Sequence, residues 1–104
     1  MHKWYQEDWS FLIEVLQVGQ RNNAHECRIG LEPGDTFECR YETPCDFCPT
    51  TFIKMFPIME VIRCEGVLRY LGAESDDETK FMCPDGVVMF KLKGEKISIE
   101  EQAG

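Results

Sequence analysis

The spacing of hydrophobic positions changes several times along this chain, and each change marks an element. Phe11–Val18 (FLIEVLQV) is dense in β-branched and large apolar residues and reads as a strand. Gly19–Ala24 is polar and asparagine-rich, so the chain turns there. In Glu32-Pro33-Gly34-Asp35 the proline presets φ and the glycine is free to take positive φ, which makes a tight turn. Thr36–Tyr41 then alternates. Phe37, Cys39 and Tyr41 fall on one face and Thr36, Glu38 and Arg40 on the other, the period of a half-buried strand.

Thr43–Cys48 connects to a stretch with helical spacing. Pro49 suits the first position of a helix, where its missing N–H would be unpaired anyway. Phe52, Phe56 and Met59 recur at i, i+4 and i+7 with Ile53 beside them, a stripe expected to face the core. Pro57 interrupts it, which predicts one kinked helix or two short ones meeting at Phe56 and ending near Cys64. After the acidic loop Glu74–Glu78, Thr79–Cys83 and Val87–Lys93 pair as strands through Pro84-Asp85-Gly86. Val88, Phe90 and Leu92 face inward there, and Lys91 and Lys93 face water. Ile97 and Ile99 suggest an added edge strand.

This order predicts an α+β fold, ββαββ: a small, mainly antiparallel sheet with one kinked helix or two short helices on one side. Residues 1–10 read as an aromatic arm, 11–99 as a single domain, and 100–104 as a frayed tail. A chain of 104 residues buries roughly 60–70% of its unfolded surface, enough for one modest core.

Charge excludes more than composition does. The net charge is −8, and Lys54, Arg63, Arg69, Lys80, Lys91, Lys93 and Lys96 are scattered singly among acids. A phosphate backbone or anionic membrane is repelled by such a field, so no nucleic acid and no membrane partner is expected. Glu14 breaks the apolar run from Phe11 to Leu16, against a signal peptide, and no stretch is long enough to span a bilayer. The expected location is the cytoplasm. Trp4, Tyr5 and Trp9 either pack back over the sheet or anchor a protein partner.

Six cysteines in a reducing compartment read as free thiols or metal ligands rather than disulfides. Cys45-Asp46-Phe47-Cys48 is the sharpest local signal, since its two-residue gap suits a shared metal ion or a small-ring disulfide. Cys48 also falls where a helix N-cap belongs, and there the helix dipole favours a thiolate. Cys39 alternates with core positions and reads as a small hydrophobe, as does Cys64 near the helix end. Cys27, Cys45, Cys48 and Cys83 therefore form the candidate metal set, for zinc or an iron–sulfur cluster. His25 offers a conceivable Cys/His pair; His2 lies far from it in sequence. Asp76-Asp77-Glu78 lacks the spacing and glycine of a calcium loop and reads as a solvated turn.

Three segments together carry a resemblance. The first is Cys27-Arg28-Ile29-Gly30 followed by Gly34-Asp35-Thr36-Phe37. The second is Cys48-Pro49 with Phe52 and Phe56-Pro57; the third is Arg69-Tyr70 with Cys83-Pro84-Asp85, Val88 and Phe90. Over about Phe11 to Lys93 the chain resembles a family of small, cysteine-containing prokaryotic proteins, often from anaerobes and sometimes in tandem copies, with no assigned function. The resemblance picks out Cys27, Cys48 and Cys83, whereas Cys39, Cys45 and Cys64 are particular to this chain. The family carries a histidine where this sequence has Leu31.

Two functional readings stay open at this level. The first is a non-catalytic accessory or binding module whose clustered cysteines are structural or hold zinc or an iron–sulfur cluster. The alternative is a thiol-based redox protein using Cys48 with Cys45.

Overall fold

The computed structural model describes residues 7–73 and 75–97. Trp4, Tyr5, His2, Glu74 and Ile99, as well as the tail 100–104, lie outside the described residues. Four strands form one sheet: β1 (Trp9–Val18), β2 (Thr36–Cys39), β3 (Glu78–Met82) and β4 (Val88–Lys96). A single helix, α1 (Pro49–Arg63), lies between β2 and β3, with short 3-10 turns at Ala24–Glu26 and Leu68–Leu71. The fold is α+β in the order ββαββ.

The sheet order is β2-β1-β4-β3, with every neighbouring pair antiparallel. β1 begins at Trp9, so the last two residues of the segment read as an arm are strand, and Trp9 packs against the core. Its register against β4 shifts between Val15 and Gln17. The extra residue of this bulge lets Phe11, Ile13, Val15 and then Val18 all face inward. β4 answers with buried Val88, Phe90 and Leu92, as the alternation predicted. It runs unbroken to Lys96, and Ile97 then donates its amide to the Asp8 carbonyl at 2.9 Å, so Ile97 starts no separate edge strand.

Between β1 and β2 the expected turn closes with the Asp35 amide on the Glu32 carbonyl at 3.0 Å. Gly34 sits there at φ +94°, a conformation that a side chain would strain. β2 stops at Cys39, which is buried as expected; Tyr41 lies beyond the strand and is half exposed.

One helix continues unbroken through Pro57 rather than two meeting at Phe56. The missing N–H would have served the carbonyl of Ile53, and both Ile53 and Pro57 are exposed, so water can take its place. The buried stripe is Thr51, Met55, Met59 and Ile62. Phe52 and Phe56 are turned to its flank, where the Phe56 ring lies tilted at 5.8 Å from Phe52 and 6.2 Å from Tyr41, and Ile53 faces water. The ring-rich face thus lost the core to the slimmer one. The slimmer face fits because β4 places Gly94 opposite the helix: a Cβ there would lie 2.7 Å from Ile62. Cys64, expected in the core, is the exposed C-cap of α1. It lies one residue past the last buried turn.

Arg63 fastens this end of the helix. Its guanidinium meets Glu7 at 2.7 Å, Glu60 on the same helix face, and the Arg40 carbonyl at 2.9 Å. It also covers the rings of Phe11 and Tyr41 at 5.0 and 4.9 Å. Among the described residues no helix is long and apolar enough to cross a membrane.

Candidate thiol site

All six cysteines are free thiols. Three of them, Cys27, Cys48 and Cys83, line one small cleft of about 30 Å³ at the N-terminal end of α1. They arrive from three separate segments, each for a local reason.

Cys48 is the N-cap of α1, in extended geometry (φ −70°, ψ 122°), because Pro49 occupies the first helical position and disfavours helical backbone before it. Its sulfur makes no capping hydrogen bond, but lies 3.2 Å from the Thr50 hydroxyl. Burial works to raise the thiol's pKa. The hydroxyls and amides of Thr50 and Thr51 outweigh it, and the thiol is held below its ordinary value.

Cys83 directly follows β3, at the turn into β4. Pro84-Asp85-Gly86 reverses the chain, with Gly86 at φ +73° and its amide on the Cys83 carbonyl at 2.9 Å. The turn folds two further amides over the sulfur: Val87 and Val88 donate to Cys83 Sγ at 3.4 and 3.3 Å. This buried sulfur is pinned.

Cys27 caps the 3-10 turn Ala24–Glu26, its amide donating to the Ala24 carbonyl at 3.1 Å. It is half-buried, at the edge of the core. Leu31, where the resembled family carries histidine, is buried in the wall of the same cleft.

Cys45 is exposed and lies outside the cleft. Asp46, at φ +59°, turns the chain between it and Cys48. Of the CxxC pair only Cys48 lines this cleft. His25 is exposed and outside the cleft as well. Among the described residues no group of three or more His, Cys, Asp or Glu side chains is arranged to hold a metal ion.

Thr51 was not foreseen. It stands three residues after Cys48, in the first turn of α1, fully buried, and it lines the cleft. Its hydroxyl has no hydrogen-bond partner. It acts on the nearby Cys48 sulfur without reaching hydrogen-bond geometry. The signal available in the sequence was positional: the third residue after an N-cap sits beside the cap's side chain. At the mouth, Arg28 and Asp85 approach to 3.9 Å, both largely exposed. Cys39 behaves as the opposite kind of thiol: burial first, then Glu42, push it up to about 11, against the pull of Arg63.

Searches against family models, curated proteins and solved structures found no match to this chain.

Proposed function

We propose that this chain is a thiol–disulfide redox module in which Cys48 is the attacking thiolate and Cys27 its resolving partner. One observation carries the reading: the Cys48 sulfur sits at the start of a 15-residue helix, in a cleft that two other thiols also line. A helix N-terminus and neighbouring hydroxyls favour the anionic form, and the thiolate is the nucleophile in disulfide exchange. Cys27 is the better partner because Cys83 is held by two amides, which its sulfur would have to give up to move. Cys45 is exposed outside the cleft and takes no part. The resemblance supports the same choice, since it too picks out Cys27, Cys48 and Cys83 and passes over Cys45.

Titration of the fully reduced protein with diamide, followed by peptide mapping of disulfides, tests this. A Cys27–Cys48 bridge is the expected product, unchanged in Cys45→Ser. A dominant Cys45–Cys48 bridge, or six thiols that stay reduced, overturns it.

A second reading is a binding module for a thiophilic ion such as zinc. It is favoured by three sulfurs lining one cleft and by the amides on Cys83, which suit a thiolate ligand. Metal analysis of protein purified without oxygen separates the two: stoichiometric zinc or iron that protects Cys27, Cys48 and Cys83 from alkylation supports binding.

A further inference from the structure

From the size, charge and hydroxyl of the cleft we infer that the oxidant Cys48 takes is a small neutral hydroperoxide, with Thr51 donating a hydrogen bond to the departing oxygen. This rests on the reading of Cys48 as the working thiol and names its substrate class.

Size comes first. The cleft holds about 30 Å³, and a water-sized guest needs roughly 10–15 Å³. Two heavy atoms fit inside; a disulfide, diamide or an aryl hydroperoxide meets the part-exposed Cys48 only from the mouth. Charge comes second. Glu26 and Asp85 line the cleft, Arg28 is engaged with Asp85 at 3.9 Å, and the chain as a whole carries −8. Anionic oxidants, polysulfides among them, are disfavoured, whereas hydrogen peroxide is uncharged at neutral pH.

The third observation points to a guest directly. The Thr51 hydroxyl is fully buried in the cleft wall with no partner. Buried hydroxyls are normally hydrogen-bonded, and an unpaired one is costly. A peroxide in the cleft supplies the missing acceptor, one turn of helix from the sulfur that attacks it.

The Cys48 thiolate attacks one peroxide oxygen, the O–O bond breaks, and the other oxygen leaves as hydroxide, taking a proton from solvent. Sulfur is oxidised to the sulfenic acid and the peroxide is reduced by the same electron pair. The Cys27 thiol then attacks the Cys48 sulfur, forming the disulfide and releasing water. An external dithiol restores both thiols by exchange.

The test uses the full chain, reduced. Sulfenic acid on Cys48 is trapped with dimedone in Cys27→Ser, and rates are compared for hydrogen peroxide and cumene hydroperoxide. The folded chain is expected to react with hydrogen peroxide at least roughly tenfold faster than the urea-unfolded chain at equal thiolate fraction. Cumene hydroperoxide is expected to be slower by a similar factor. Thr51→Val, checked for folding by its thermal transition, should lose roughly tenfold in the hydrogen peroxide rate at equal thiolate fraction, with Thr51→Ser restoring it. Equal rates for the two peroxides, no gain over the unfolded chain, or no effect of Thr51→Val overturns the inference. If diamide still forms the Cys27–Cys48 bridge in that event, the redox reading stands without it; if diamide fails too, both fall.

Discussion

Cys83 and Val88 are joined in both directions. The Cys83 amide donates to the Val88 carbonyl at 2.9 Å, and the Val88 amide returns to the Cys83 sulfur at 3.3 Å. The hairpin that closes the sheet therefore also fixes one of the three sulfurs of the cleft. A side chain acts here as an acceptor for two backbone amides of the turn.

Removing that acceptor has a structural consequence. Cys83→Ala leaves the Val87 and Val88 amides short of a partner in a half-buried to buried setting. A loss of about 1–3 kcal/mol in urea unfolding is expected. Cys83→Ser keeps an acceptor on a shorter arm and should lose less than Cys83→Ala.

Thr51 gives the opposite sign. Its hydroxyl is buried without a partner, so Thr51→Val exchanges an unsatisfied polar group for a methyl of similar shape. The variant should be more stable by about 0.5–1.5 kcal/mol in urea unfolding. A residue that lowers the stability of the free protein fits a role toward a guest. A destabilised Thr51→Val would show that the hydroxyl has a partner after all.

Two thiols respond to pH in opposite senses. For Cys39, pushed up to about 11 from an ordinary 9.0, the unfolded chain ionises first. Stability should therefore decline as pH rises from 9 towards 11, and Cys39→Ala should flatten that decline in unfolding measured at several pH values. For Cys48, held below its ordinary value, the folded chain ionises first. Its contribution is complete above 9.0 and is lost as pH falls through the folded value. At neutral pH, iodoacetamide should modify Cys48 well before Cys39, as read by mass spectrometry of quenched samples.

Arg63 holds the other end of the helix. Its side chain is 14% exposed and that of Glu7 10%. Arg63→Ala strips Glu7 of its partner and uncovers the rings of Phe11 and Tyr41. A loss of about 2–4 kcal/mol is expected in urea unfolding, with Arg63→Lys recovering only part of it because an ammonium lacks the planar fork.

Gly94 sets how closely the helix approaches the sheet. An added Cβ would lie 2.7 Å from Ile62 and 3.2 Å from Phe11. Gly94→Ala should cost about 1–3 kcal/mol in urea unfolding, and because the atom met is Ile62 Cγ2, which valine keeps, Ile62→Val in the same chain should not relieve it.

Local pattern made much of this architecture legible. Thr36–Cys39, the tight turn before it, the Pro-Asp-Gly reversal and the inward row Val88, Phe90 and Leu92 all follow from neighbouring residues. Each depends on backbone preference or a period of two, which short stretches of chain express without help. The helix was legible in extent and not in orientation. Of the expected stripe Met59 is buried, but Phe52 and Phe56 lie at its flank while Thr51, Met55 and Ile62 take the core beside Met59. Which stripe is buried depends on the partner surface, and Gly94 lies some thirty residues away from it along the chain. Cys64 went the same way, carried one position past the buried turn.

The thiol site divides along the same line. That Cys48 should cap a helix, and that its thiol should be eased towards the anion, was contained in Cys48-Pro49 and the positions after it. That Cys27 and Cys83 come to the same cleft, while Cys45 at three residues' distance does not, belongs to the assembled fold. Short-range sterics act between neighbours and can be read from neighbours. Convergence across tens of residues is set by how β1, β4 and α1 pack, and no single segment records it.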